Sequence, residues 1–176
     1  MATVLRTYEP QFWDRFYLPA LVQGLMITLT RIFVRKETIQ YPERKHVPLE
    51  GYRGLHRLNK HPGGRIKCVA CEMCATTCPS KAITIEPSAA TWDEGAERYP
   101  VKFEIDLLRC IFCGFCEIAC PEDAIQLTEI YDFSSYSREN LIIDKEGLLK
   151  VYDVTSKGNI YQRQNRGEKV EIPISL

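Results

Sequence analysis

The sequence lacks both a secretory signal and a surplus of charge. Its opening residues, MATVLRTYEPQFWDRFYLP, do not show the charged start, apolar stretch and small-residue cleavage site of an exported protein. We therefore expect a chain that stays in a reducing compartment, where disulfide frameworks are rare. The formal net charge is zero, so the composition predicts no nucleic-acid partner.

The sequence also lacks any recognisable catalytic motif. It has no glycine-rich phosphate loop, no nucleophile and base in a motif context, and no flavin or nicotinamide fingerprint. His46, His56 and His61 are isolated in the sequence, and we expect solvated or hydrogen-bonded histidines rather than metal ligands. The chain is therefore expected to carry no substrate-converting residues of its own.

Eight cysteines are the feature that is present in excess. They form two motifs of the pattern Cys-x-x-Cys-x-x-Cys-x-x-x-Cys-Pro, namely Cys68, Cys71, Cys74 and Cys78, then Cys110, Cys113, Cys116 and Cys120. Zinc is the alternative, but zinc sites commonly use separated cysteine pairs and fit three closely spaced thiolates poorly. The spacing predicts two 4Fe-4S clusters.

The ligands of the two clusters are expected to be exchanged between the motifs. In two-cluster ferredoxins three cysteines of one motif bind one cluster, and the fourth ligates the other cluster. The first cluster would be held by Cys68, Cys71, Cys74 and Cys120, and the second by Cys110, Cys113, Cys116 and Cys78. Both middle cysteines are present, so both cubes should be complete and close enough to form a two-step electron path.

The two motifs belong to an internal repeat with an offset of forty-two residues. Each motif is followed by an alternating apolar run, at residues 82–86 and 124–128, which predicts a short strand. A strand at residues 101–106 precedes the second motif, and residues around Leu58 hold the equivalent place before the first. The pattern predicts an α+β fold, a duplicated ferredoxin-like domain with its metal loops on one side of a sheet. Residues 87–100 are predicted to be a loop.

Residues 18–34 form the longest apolar stretch of the sequence. Pro19 suits a first helical turn, and Gly24, Thr28 and Arg31 recur at helical spacing, which predicts an amphipathic helix. At ~1.5 Å per residue the helix would span roughly 24 Å, short of the ~30 Å apolar layer of a bilayer. Aromatic residues between positions 8 and 17 precede the helix and basic residues follow it. The helix therefore either lies at a membrane surface or an integral subunit, or packs in the core of this chain.

Charge divides the remaining chain into a basic and an acidic segment. Residues 31–67 contain ten Lys or Arg against three Asp or Glu, and residues 68–132 contain four against twelve. The basic segment could fold over the acidic one, meet other subunits, or form a solvated loop.

We divide the chain into four parts. Residues 1–36 are the amphipathic docking helix and residues 37–66 are the basic lead-in. Residues 67–132 are the two-cluster domain and residues 133–176 are an extended C-terminal arm. Whether the apolar residues of the arm pack on the domain or on a partner is left open.

The run ERYPVKFEIDLLRCIFCGFCEIACPEDAIQLT, with KETIQYPE and GYRGLHRL before it, resembles the I subunit of bacterial NADH-quinone oxidoreductase. This family includes the 23 kDa subunit of mitochondrial respiratory complex I. The similarity begins near Lys36 and continues weakly through YDFSSYSRENLIIDKEGLL, while the final twenty-five residues have no match. The eight cysteines alone would indicate only a two-cluster ferredoxin.

The resemblance implies an electron-transfer subunit of a proton-pumping enzyme complex at the cytoplasmic face of the bacterial inner membrane. Its implied partners are an upstream iron-sulfur subunit, the subunits of the terminal cluster and quinone site, and a membrane subunit at the N-terminal helix. Two alternatives share the cluster motifs. One is a subunit of a membrane-bound hydrogenase, and the other is a free soluble ferredoxin, although free ferredoxins usually lack such a helix and are acidic.

Overall fold

The computed structural model describes Phe12, residues 17–90 and residues 98–172. The chain divides into two units, Met1–Ile39 and Gln40–Leu176. Most of the aromatic segment expected before the first helix, and the centre of the expected loop at residues 87–100, lie outside the described residues.

The first unit contains one helix, α1, at Tyr17–Phe33. Pro19 lies in its first turn, where the missing N–H costs no hydrogen bond, and Arg31 lies in its last turn, where a cation complements the helix dipole. Every residue of α1 is exposed. Within the part of the chain that the structure describes, no helix is both long enough and apolar enough to cross a bilayer.

The second unit begins with two halves that share the order strand, helix, strand. The first half is β1 (His56–Leu58), α2 (Met73–Thr77) and β2 (Ile83–Ala89), and the second is β3 (Arg98–Asp106), α3 (Phe115–Ile118) and β4 (Ile125–Leu127). β1 pairs with β4 and β2 pairs with β3, both antiparallel. The first strand of each half therefore pairs with the last strand of the other half. Because these pairs belong to two small sheets, the expectation of one sheet is wrong.

The segment predicted as a loop is strand at both of its ends. β2 continues to Ala89 and β3 starts at Arg98, so strand pairing extends into both ends of residues 87–100. Pro87 and Pro100, the first and last residues of the predicted loop, face each other across the strand pair, and the register shifts between Glu86 and Pro87. Proline is tolerated in strands at such irregularities, because the lost N–H would otherwise break the ladder.

The prediction of an extended arm over residues 133–176 is wrong for residues 142–165. A short strand β5 (Ile142–Ile143) pairs with β3, and two helices follow, α4 (Lys145–Thr155) and α5 (Ile160–Asn165). Each helix begins at a side-chain cap, since Asp144 accepts from the Gly147 amide at 2.8 Å and Asn159 accepts from the Tyr161 amide at 3.0 Å. α4 packs against β1, burying Leu148, Val151 and Thr155.

Tyr161 fixes α5 to the cluster domain. Its side chain is fully buried, its ring stacks on Tyr131 with centroids 4.4 Å apart, and its hydroxyl accepts from the Tyr131 amide at 2.9 Å. The same hydroxyl donates to Asp132, which also forms an ion pair with Lys45. Lys45 belongs to the basic segment and Asp132 to the acidic one, so at this point the two segments meet within one chain.

The buried core joins both halves to the C-terminal helices. Its fully buried members include Leu55, Leu58, Phe103, Ile105, Leu148 and Ile160. The C-terminal segment is therefore part of the domain that holds the cysteines, and it buries apolar surface that the two halves alone would expose.

Truncating a core residue of α4 tests this conclusion. We expect Leu148→Ala to lower the free energy of unfolding by roughly 2–5 kcal/mol, because it leaves a cavity between α4 and β1. Leu49→Ala is the matched control, since Leu49 is 83% exposed and should change stability little. Urea unfolding of the cluster-loaded chain measures both. Equal midpoints for the two variants would show that α4 does not support the domain.

Candidate metal centre

The cysteine loops adopt the same unusual backbone conformation in both halves. Ala70 and Phe112 have φ of 51° and 53°, and Glu72 and Gly114 have φ of 62° and 83°. Each pair is separated by the forty-two residues of the repeat. Left-handed residues that alternate with other conformations are typical of backbone nests, whose N–H groups bind anions, including iron-sulfur clusters. Three of these four positions are not glycine, so the loops store backbone strain.

The first cavity is surrounded by Cys68, Cys71 and Cys74 of the first motif and Cys120 of the second. Apolar side chains make up most of the rest of its lining, among them Leu58, Ile85, Phe103 and Ile125, and Glu72 and Glu122 also line it. The structure therefore brings together the four cysteines that the sequence analysis assigns to the first cluster.

The second cavity is surrounded by Cys110, Cys113 and Cys116 of the second motif and Cys78 of the first. Ala82, Ile83 and Ile111 line it together with Ser80 and His56. All eight cysteines thus lie in two groups of four. Each group takes three members from one motif and one from the other, which is the grouping expected for exchanged ligands.

Backbone amides donate to the sulfur atoms in an equivalent way in the two halves. Ala82 N lies 3.4 Å from Cys78 Sγ, and Ala124 N lies 3.2 Å from Cys120 Sγ. Phe112 N also donates to Cys110 Sγ at 3.3 Å. A thiolate can only accept hydrogen bonds, so these donors suit the charged form of cysteine that ligates metals.

The same cavities make an uncompensated thiolate unfavourable. Burial, with a smaller contribution from neighbouring cysteines, raises the pKa of Cys68 to about 11 and the pKa of Cys74 and Cys116 to about 12. At Cys78 burial also acts to raise the pKa, but hydrogen bonds from Ser80 and the Ala82 amide outweigh it, and the pKa is lowered. Iron ions supply the positive charge that buried thiolates need. The donor set and its apolar surroundings therefore fit iron-sulfur clusters.

His56 is the site residue that sequence reasoning missed. Its side chain is buried at the second cavity, with Nε2 3.9 Å from Cys110 Sγ and its ring 5.6 Å from that of Phe112. Burial lowers the pKa of His56 to about 4, which favours the neutral imidazole at pH 7. The position of His56 beside the second cavity follows only from the pairing of β1 with β4. No residue near it in the sequence suggests that its side chain contacts a cysteine of the site.

Residues 67–124 match the family of the 4Fe-4S dicluster domain. Among similar proteins, NADH-quinone oxidoreductase subunit I of Cytophaga hutchinsonii is 43% identical over 155 residues, which cover 86% of this chain and 89% of that protein. Subunit I 1 of Geobacter sulfurreducens is 48% identical over 131 residues, covering 74% of this chain and 96% of that one. Subunit I 2 of Rhizobium meliloti is 51% identical over 130 residues, which cover 73% of this chain and 68% of that protein.

A solved structure supports the fold. A chain of the membrane-bound sulfane sulfur reductase, an archaeal respiratory membrane complex, superposes with a TM-score of 0.54 at 24% identity. The match covers 89% of this chain and 76% of that chain. At this identity the likeness speaks for the fold alone.

The dicluster domain makes this chain an iron-sulfur protein of electron transfer that carries two 4Fe-4S clusters. The cofactor expected from the cysteine spacing is thereby confirmed. The identity and coverage of the relatives then decide the family: the chain belongs to subunit I of NADH-quinone oxidoreductase. The resemblance found in the sequence is confirmed as well.

Metal analysis gives a direct test of the site. We expect the anaerobically isolated chain to contain about eight iron and eight acid-labile sulfide, because two complete cubes hold four of each. Colorimetric iron and sulfide assays on the same sample measure the ratio. Bound zinc without sulfide would contradict the assignment of the cysteines to clusters.

Proposed function

We propose that the chain is the electron-transfer subunit of a proton-pumping NADH-quinone oxidoreductase, in which electrons enter from an upstream iron-sulfur subunit and leave toward a terminal cluster and quinone. The observation that carries this proposal is the exchange of one cysteine between the two cavities. Since each cavity takes its fourth cysteine from the motif that supplies three cysteines to the other cavity, the two clusters lie close together. Such a pair serves as a relay between partners, and the catalytic chemistry belongs to other subunits of the complex.

The proposed ligands are Cys68, Cys71, Cys74 and Cys120 for the first cluster, and Cys110, Cys113, Cys116 and Cys78 for the second. Their grouping around the two cavities supports this assignment. When bound, the clusters take up and release single electrons. The protein contributes thiolate ligands, amide donors to sulfur and a largely apolar lining.

Replacing one exchanged ligand tests the assignment. We expect Cys78→Ser to disturb mainly the second cluster, although Cys78 belongs to the first motif, because its sulfur faces the cavity of Cys110, Cys113 and Cys116. Cys120→Ser is the matched variant and should disturb mainly the first cluster. Electron paramagnetic resonance of the reduced proteins distinguishes the two outcomes. Loss confined to the cluster of Cys68, Cys71 and Cys74 in the Cys78 variant would show that the ligands are not exchanged.

The proposed docking element is α1, within residues 1–36, which attaches the relay to a membrane subunit at the cytoplasmic face of the inner membrane. Its large apolar side chains are about half exposed or more, for example Leu21 at 59%, Leu25 at 60% and Leu29 at 49%. They share one face at helical spacing. An exposed apolar face along a whole helix is typical of an interaction surface. Arg31 in the last turn of α1 suits a position close to a membrane. Association would be peripheral.

The full proposal is tested by isolating the chain from membranes in mild detergent. We expect the wild-type chain to copurify with membrane and quinone-site subunits, and the preparation to transfer electrons from NADH to quinone. Mass spectrometry of the copurifying subunits and a spectrophotometric assay of NADH oxidation measure these results. Recovery of the chain alone, in soluble form, would support a free ferredoxin instead. Copurification with hydrogenase subunits would support the other alternative.

Charge substitutions on α1 separate docking from electron transfer. We expect the double variant Leu25→Asp and Leu29→Asp to leave the membrane fraction while keeping both clusters, because burying each carboxylate in an apolar contact costs a few kcal/mol. The control variant, Gln23→Asp and Thr30→Asp, adds the same charge to the opposite face and should stay attached. A double Leu variant that remains in the complex would place docking elsewhere in the chain.

A further inference from the structure

The two cavities are related by the internal repeat, but they are not lined identically. The forty-two-residue offset makes Ile85 of β2 equivalent to Leu127 of β4. Ile85 pairs with Phe103 across the strands, and Leu127 pairs with His56. His56 and Phe103 therefore occupy equivalent positions in the two halves.

Both side chains have the same burial and the same relation to a cavity. His56 and Phe103 are each 1% exposed. Phe103 lines the first cavity, and His56 lines the second. At this position the first cavity thus has an apolar ring, whereas the second has an imidazole with two nitrogen atoms.

Among the described residues, the imidazole ring has one polar contact, a cysteine sulfur. Nε2 lies 3.9 Å from Cys110 Sγ, while Nδ1 has no hydrogen-bond partner among the described residues. A cysteine that ligates iron is a thiolate and has no proton to give, so the contact requires a hydrogen on Nε2. Both the neutral Nε2–H tautomer and the imidazolium cation satisfy this requirement, so the contact does not depend on the charge of His56.

We propose that His56 donates a hydrogen bond to Cys110 Sγ and thereby raises the reduction potential of the second cluster relative to the first. The inference rests on the proposed assignment of Cys110 to the second cluster. His56 acts here as a tuning residue, and the iron atoms are bound by the cysteines alone.

The direction follows from the charge that reduction adds. A cluster becomes more negative when it takes up an electron, and part of that charge is carried by the cysteine sulfur atoms. A hydrogen bond to such a sulfur stabilises the reduced state more than the oxidised state, which raises the potential. Phe103 offers no comparable donor to the first cluster. A buried nitrogen without a partner is unfavourable for folding, so packing alone favours phenylalanine at both positions.

The test compares reduction potentials in single variants of the full chain. In His56→Phe we expect the ratio of reduced to oxidised second cluster at a fixed solution potential to fall about tenfold, a shift of about 59 mV for a one-electron couple. The first cluster should keep its potential. In His56→Gln, whose amide can still donate, the second cluster should keep most of the wild-type value. Redox titrations followed by electron paramagnetic resonance measure both clusters, with the Cys78→Ser spectrum identifying the second.

The reciprocal variant and a control complete the test. Phe103→His should raise the potential of the first cluster, and His46→Phe, at an exposed histidine, should change neither potential. An unchanged or higher potential of the second cluster in His56→Phe, with both clusters loaded, would overturn the inference. If that variant fails to load its clusters, His56→Leu, which also lacks a hydrogen-bond donor, replaces it, and the same result there would overturn the inference. None of these readouts uses NADH-to-quinone activity, so the inference can fail while the proposed function holds.

Discussion

The structure of the second unit depends on how buried thiolates can be accommodated. A sulfur anion in an apolar cavity is unfavourable unless positive charge and hydrogen-bond donors compensate it. The chain provides the donors from backbone amides in left-handed turns, and it gathers four cysteines around each cavity. Because each group includes a cysteine from the other motif, the two halves must pack together before either cavity is complete. The strand pairs β1–β4 and β2–β3 produce the same interdependence in the backbone.

The parts of the fold that could be predicted from the sequence are those fixed by short-range chemistry. The spacing of the cysteines limits which sulfur atoms can face a common cavity, so the grouping of Cys78 with the second motif followed from the motif alone. The strands after each motif were also predictable, because their apolar residues alternate at residues 83–85 and 125–127. In both cases the information lies within a few residues.

The errors concern elements that depend on distant contacts. α4 buries only Leu148, Val151 and Thr155 in eleven residues, and one of these is polar, so its helical period is weak in the sequence. Its packing against β1, some ninety positions earlier, stabilises it. His56 was missed for the same reason. Only the pairing with Leu127 shows that it is equivalent to Phe103, and that pairing joins residues seventy-one positions apart.

The exchange of cysteines between the cavities also sets an order of events during synthesis. The first cavity takes three of its cysteines from residues 68–74, but its fourth is Cys120, and β1 at residues 56–58 pairs with β4 at residues 125–127. A nascent chain that has emerged only through the first motif therefore has no site that can hold a cube with four ligands. With the proposed ligands, cluster insertion has to wait until about two thirds of the chain has left the ribosome, and both clusters become loadable almost together.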